Sequence, residues 1–90
     1  MFNLADEITV TVTQEHISNG KAGNPYRCPV ALAIREKIGK WHSVRVYITD
    51  ARVGFLGCDY LLDGAVREFA RRFDRNKFVE PVTFTMRRER

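Results

Sequence analysis

The amino-acid sequence predicts a small domain of the α+β class, a two-layer sandwich with helices on one face of a sheet. Short segments alternate strictly between apolar and polar residues, which is typical of strands with one buried face. Two longer segments carry apolar residues at helical spacing. The 90 residues suffice for one domain, residues 1–90, and we expect the basic end, 87–90, to fray.

Three segments are predicted to be half-buried strands because their apolar residues share one parity. They are segment 8–13 (ITVTVT), segment 44–49 (VRVYIT) and segment 82–86 (VTFTM). The residues expected to point inward are Ile8, Val10, Val12, Val44, Val46, Ile48, Val82, Phe84 and Met86.

A hairpin is predicted in the middle of the chain. Asp50 and Ala51 would form its tight turn, and segment 52–58 (RVGFLGC) would be the returning strand. Gly54 and Gly57 weaken that strand and indicate a bulge or the close approach of another backbone.

Segment 28–39 (CPVALAIREKIG) gives the clearest helix signal in the chain. Pro29 suits the first helical position because its φ is fixed and it lacks an N–H, and Cys28 would be the cap before it. Gly39 can adopt the positive φ that ends a helix. Apolar residues recur every four positions and predict one buried face; they are Val30, Ile34 and Ile38.

A second helix is predicted over segment 64–75, where Phe69 and Phe73 belong to an apolar stripe. Asp63 can cap its start, and Asn76 can adopt the left-handed conformation at its end. The other faces of this helix carry the basic residues Arg67, Arg71, Arg72 and Arg75.

The predicted element order is therefore β-α-β-β-α-β, which is the order of the ferredoxin-like split βαβ fold. We expect that fold or a related one, with a four-stranded, mainly antiparallel sheet and two helices on one face. The other sheet face would have no helix over it. That face would display Thr9, Thr11, Thr13, Arg45, Tyr47, Thr49, Thr83 and Thr85.

The uncovered face has two interpretations. Threonine is a good strand former, so the face can simply be the solvated side of an antiparallel sheet. Alternatively, these residues form a contact surface for a partner protein or for a second copy of the chain. We take the second interpretation as the basis of the predicted function.

Segment 14–27 (QEHISNGKAGNPYR) is a polar connection in which residues 14–19 can form one helical turn closed by Gly20. Such a length is unusual for a connection in a small domain, and long loops are often functional. The loop and the helix start at Cys28 therefore form another candidate site, with His16 as a candidate binding residue.

Two chemical roles are considered for Cys28 and His16. A thiol at a helix start has a lowered pKa, which would make Cys28 a nucleophile with His16 as its base. With Cys58 or Asp59, the same pair would instead hold zinc. No CxxC or HxxxH spacing and no third orienting residue accompany them. We therefore expect a non-enzymatic protein without metal or cofactor, whose two cysteines are reduced thiols.

Nucleic-acid binding is the alternative function. The net charge is +4, and the basic residues cluster late, with Arg71 and Arg75 as candidate contacts on the second helix and further arginines in the tail. An RNA-recognition motif has the same element order, but segment 52–60 matches its third strand loosely and the first strand carries no aromatic ring. Acidic residues between the arginines dilute any phosphate-binding patch.

Neither a signal peptide nor a membrane-spanning segment is predicted. The start, MFNLADEITV, lacks a basic stretch followed by an apolar run, and no apolar run approaches the ~20 residues that a spanning helix needs. We expect a cytoplasmic protein that does not bind a membrane.

The pattern HIxxG, CPVALAIRE and FDxxxxVEPVTFT resembles a group of small uncharacterised proteins from phages and actinobacteria. The matching residues are His16, Ile17, Gly20, 28–34, Phe73, Asp74 and 79–85. This resemblance implies a phage accessory protein that binds a host component through protein–protein contact in the host cytoplasm. It implies no catalytic role for any residue.

Overall fold

The computed structural model describes residues 6–39, 42–47, 50–54 and 58–89. These residues form strands and helices in the order β1 (Glu7–Val12), α1 (Gln14–Asn19), α2 (Pro29–Ile38), β2 (Val44–Val46), β3 (Asp50–Val53), β4 (Cys58–Leu61), α3 (Gly64–Asp74) and β5 (Val82–Arg88). None of the helices in these segments has the length and apolar character needed to span a membrane.

The strands form one curled, antiparallel, five-stranded sheet in the order β1-β5-β4-β3-β2. The predicted four-stranded ferredoxin-like sheet with two helices is therefore wrong, since the described residues form five strands and three helices. The first and second strands of the chain lie at opposite edges of the sheet, and β1 pairs with β5 over six residues. Strand pairing joins residues far apart in sequence, so the element order did not determine it.

The predicted hairpin is the source of the wrong strand count. Asp50 and Ala51 belong to β3, where Ala51 pairs with Val46, rather than to a turn. The predicted strand 52–58 is two strands: β3 ends at Val53, Gly54 follows with a positive φ of 88°, and β4 begins at Cys58. The predicted inward Ile48, the outward Thr49 and Gly57 lie outside the described residues.

The helix signals read from the sequence are confirmed. The Cys28 sulfur accepts a hydrogen bond from the Ala31 N–H at 3.4 Å, and Pro29 is the first residue of α2. The Asp63 carboxylate likewise accepts from the Val66 N–H at 3.1 Å, which caps α3. Asn76 follows α3 with a φ of 59°, the left-handed conformation expected of it. Each of these signals depends on neighbours within four residues.

The core lies between the helices and the concave face of the sheet. α2 contacts both edge strands, β1 and β2, so the sheet curls around it, and α3 packs against β5. The predicted parity is confirmed at every described inward position of β1 and β2 and at Phe84 and Met86, which are all buried, while Val82 is half-buried. None of the described helices covers the opposite side of the sheet, which we call the outer face.

Candidate functional site

The threonines of the outer face pair across β1 and β5. Thr9 lies opposite Thr85 with their hydroxyl oxygens 3.2 Å apart, and Thr11 lies opposite Thr83 at 3.0 Å. The Thr85 N–H points away from β1, to the Asp63 carboxylate at 3.2 Å, so these pairs are the non-hydrogen-bonded kind that brings side chains closest. The hydroxyls form a regular polar surface at one end of the face.

The predicted face also included Thr13 and Thr49. Thr13 follows β1 and is the cap of α1, where its hydroxyl accepts from the His16 N–H at 3.3 Å. Thr49 lies outside the described residues. The predicted face therefore keeps Thr9, Thr11, Thr83 and Thr85 in the described structure, together with the two β2-side residues described next.

At the other end of the face, an arginine lies against two tyrosine rings. The Arg45 guanidinium is 5.0 Å from the centre of the Tyr47 ring and 5.7 Å from that of Tyr26, distances at which a cation is attracted to an aromatic ring. Tyr26 is 46% exposed and Tyr47 is 37% exposed. We call these three residues the Tyr26–Arg45–Tyr47 cluster.

The loop that carries Tyr26 is anchored on both sides. The Val46 N–H donates to the Pro25 carbonyl at 2.9 Å, which attaches the loop to the edge of β2. The Arg35 guanidinium donates to the Tyr26 carbonyl, also at 2.9 Å, which attaches the loop to α2. These bonds fix the backbone under the cluster, so its aromatic rings are held close to Arg45 before any partner arrives.

Neighbouring charges on the outer face are paired. Arg52 lies directly across from Arg45 and donates to the Asp59 carboxylate at 3.1 Å, which raises the pKa of Arg52. Arg87 pairs with Glu7 at 3.1 Å. Within the described residues Arg45 forms no such ion pair, so its guanidinium keeps its net charge and has the two tyrosine rings as its neighbours.

A second feature is a cavity of about 450 Å³ between α2 and α3, which we call the α2–α3 groove. Its apolar part includes Cys28, Val30, Val46, Phe69 and Phe73. Its rim carries Arg67 and Arg71 from α3, Arg75 directly after that helix, and one carboxylate, Asp74. The predicted candidates Arg71 and Arg75 are thus brought together, beside a cavity that the sequence did not reveal.

His16 is buried, with 7% of its surface exposed, and both of its ring nitrogens have partners. Nδ1 accepts the Thr13 N–H at 2.9 Å, and Nε2 lies 2.8 Å from the Glu36 carboxylate. These bonds give the ring a structural role at the start of α1. With Nδ1 accepting the Thr13 N–H and Nε2 bound to the Glu36 carboxylate, neither ring nitrogen is left to take a proton from the Cys28 thiol.

Cys28 is a buried, capping residue, 9% exposed, as expected of a cysteine that acts as a small apolar residue. The nucleophile considered for it would need a lowered pKa, but burial raises the pKa of the thiol, and hydrogen bonds from the Ala31 and Val30 backbone do not offset that rise. In the part of the chain that the structure describes, no three His, Cys, Asp or Glu side chains gather in a group able to hold a metal ion. The Cys58 sulfur accepts from the Arg88 guanidinium at 3.3 Å.

Comparisons with protein-family models, curated proteins and solved structures found no match for this chain. The resemblance to small phage and actinobacterial proteins therefore stays a prediction. Two features of the site, Tyr26 and the α2–α3 groove, were not predicted from the sequence. The sequence of a turn-rich loop does not indicate which of its side chains will lie against a distant strand. The four-residue spacing of Arg67, Arg71 and Arg75, by contrast, was visible in the sequence.

Proposed function

We propose that the protein is a non-enzymatic binding module that acts by protein–protein contact through its outer face, with the Tyr26–Arg45–Tyr47 cluster as the centre of the contact. The partner is a host protein or a second copy of the chain. The observation that carries this proposal is the Arg45 guanidinium lying 5.0 Å from an exposed tyrosine ring without a carboxylate partner among the described residues.

Residue type supports a protein partner. Tyrosine and arginine dominate the few interface positions whose truncation costs more than about 2 kcal/mol, and charged pairs at the rim contribute little. The cluster has this composition. Arg52–Asp59 beside it and Glu7–Arg87 at the β1–β5 end of the same face are exposed ion pairs. The outer face thus resembles a contact centre bordered by charges that are already neutralised.

The ordering of the Tyr26–Arg45–Tyr47 cluster in the free protein also supports a contact at this place. Immobilising a flexible side chain on binding costs roughly 0.5–1.5 kcal/mol. The arginine lies against two rings, and the loop under Tyr26 is anchored to β2 and α2. Part of that ordering cost is therefore met before association, which favours binding at this place over binding at the flexible lysines elsewhere.

The test compares partner capture by the wild type and by an Arg45→Glu, Tyr47→Ala variant, using nuclease-treated host lysate and quantitative mass spectrometry. The matched control is Lys77→Glu, Phe78→Ala, which makes the same charge change and removes an aromatic ring that is 76% exposed outside the outer face. Sedimentation of each purified protein measures self-association in parallel.

We expect a specific partner, or a dimer of the wild type, to be lost in the cluster variant and kept in the control. Equal capture and equal mass for both variants would exclude the outer face as the contact. Material that is lost on nuclease treatment and elutes at low salt would instead favour the alternative of nucleic-acid binding, because phosphate contacts weaken steeply with salt.

A further inference from the structure

We infer that the α2–α3 groove is a binding site for a small amphipathic anion, a compact apolar body that carries one carboxylate. The apolar body would lie against Val30, Val46 and the two phenylalanines of α3, and the carboxylate would meet the arginines at the rim. This site lies between the helices rather than on the outer face and takes a different kind of ligand, although Tyr47 of the cluster also lines one wall of the groove.

The size and lining of the groove suit such a ligand. Its volume of about 450 Å³ falls within the roughly 300–1,000 Å³ of small-molecule pockets, which combine apolar walls with a few polar groups. Val30 is fully buried in the core, and Val46 and Phe69 are almost so, yet each contributes to the wall of the groove. The groove therefore reaches from the surface down to core side chains.

The aromatic part of the wall is ordered. Phe69 and Phe73 lie one turn apart on α3, with ring centres 6.4 Å apart and planes within 1° of each other. The two parallel rings place apolar surface along one turn of the helix, against which an acyl chain or an aromatic ring can lie. Apolar burial contributes roughly 25 cal/mol per Å² of surface removed from water.

The rim provides the charge complementarity. Arg67 and Arg71 are four residues apart and lie on one side of α3, Arg75 is the residue directly after that helix, and all three border the groove. Their charge faces one lining carboxylate, and the Asp74 Oδ1 already accepts the Gly23 N–H at 3.0 Å. An excess of positive charge beside an apolar cavity selects an anionic head on an apolar body.

Two of the arginines have contacts that restrict their side chains but leave guanidinium nitrogens able to bind a ligand carboxylate. Arg67 Nε donates to the Leu62 carbonyl at 2.8 Å, which fixes its stem and leaves its terminal nitrogens for a carboxylate. Arg71 pairs with Glu68 at 3.2 Å across one helical turn, a pair in which both side chains are more than half exposed. Exposed pairs of this kind contribute at most about 1 kcal/mol, so a ligand carboxylate can compete for Arg71.

The experiment titrates octanoate into the labelled wild-type protein and follows backbone amide chemical shifts. The neutral comparison is 1-octanol, which has the same chain length without the charge. The site variant is Arg71→Gln, Arg75→Gln, and the matched control is Arg72→Gln, Arg87→Gln, which removes the same number of charges outside the groove.

We expect saturable shifts at Gly23, Ala70 and Phe73 when octanoate is added to the wild type. Octanol should bind the wild type about ten-fold more weakly than octanoate does, and octanoate should bind the site variant about ten-fold more weakly than the wild type. A ten-fold change corresponds to about 1.4 kcal/mol. The control variant should bind octanoate like the wild type. Equal binding of octanol, an equal loss in the control, or shifts that avoid the groove would each overturn the inference.

Discussion

The His16 ring joins the first two helices of the protein through a hydrogen bond from its Nε2 to the Glu36 carboxylate, with the two atoms 2.8 Å apart. The same ring closes a capping box, since Nδ1 accepts the Thr13 N–H while the Thr13 hydroxyl accepts the His16 N–H. α1 has six residues and so cannot be stable on its own. The bonds of this ring therefore help to hold it, together with Ile17, which packs against the core.

We predict that His16→Ala lowers the free energy of unfolding by about 2 kcal/mol, because it removes half of a capping box and the link to α2. Urea denaturation followed by circular dichroism measures this change. The control is Glu15→Ala, an exposed residue of the same helix, which should change stability by less than about 0.5 kcal/mol. Equal effects of the two substitutions would show that the ring does not anchor α1.

Local signals allowed much of the secondary structure to be predicted. The caps at Cys28 and Asp63, the first-turn proline of α2 and the alternation in β1 and β5 all act between neighbouring residues, and the structure contains each of them. The alternation also predicted correctly that Thr9, Thr11, Thr83 and Thr85 share the outer face.

The topology was not predictable in the same way. β4 has four residues, and its register with β5 covers only Tyr60 and Leu61. The Glu89 N–H donates to the Asp59 carbonyl on one side of this short ladder, and the Asp63 carboxylate accepts the Thr85 N–H on the other. A segment this short, containing Asp59 and following a glycine-rich stretch, has no clear alternation. The five-stranded order depends on that pairing, so a local pattern could not specify it. β5 also continues to Arg88, into the segment expected to fray.

The candidate site likewise contains a part that local patterns predicted and a part that depends on tertiary packing. Arg45 and Tyr47 were predicted from strand parity, but their third partner, Tyr26, comes from a loop that hydrogen bonds fix to β2. The α2–α3 groove likewise forms where two helices and a loop diverge. Its volume depends on how the elements pack, and spacing in the sequence contains no measure of that.

Gly20 marks a close approach between the end of α1 and the start of α2. A Cβ atom at this position would lie 2.5 Å from two ring carbons of Pro29 and 2.7 Å from its nitrogen. The proline ring cannot rotate away, so we predict that Gly20→Ala costs about 1–3 kcal/mol of stability. Thermal unfolding followed by calorimetry measures the loss.

The matched substitution is Gly64→Ala at the first residue of α3. Nothing lies within 4 Å of a Cβ there, and alanine favours helix formation, so this variant should be as stable as the wild type or slightly more stable. A Gly20→Ala protein as stable as Gly64→Ala would mean that the two helices can separate at this point without cost.

Burial, rather than the helix start, controls the chemistry of Cys28. Because burial raises the pKa of its thiol, we predict that iodoacetamide at pH 8 modifies the half-buried Cys58 at least ten times faster than Cys28 in the native protein. Mass spectrometry of peptides after timed quenching gives both rates. In urea the two thiols should react at similar rates, which controls for differences in local sequence.

The raised pKa of the Cys28 thiol also determines how this residue affects the free energy of unfolding at high pH. Since the pKa of the thiol is raised in the folded protein, the unfolded chain loses this proton first, and the contribution of Cys28 is full below about pH 8.5 and lost as the pH rises through the folded-state pKa. Cys28→Ser removes the thiol titration, so it should flatten the fall in stability above about pH 8.5. A parallel fall in both proteins would place the responsible group elsewhere.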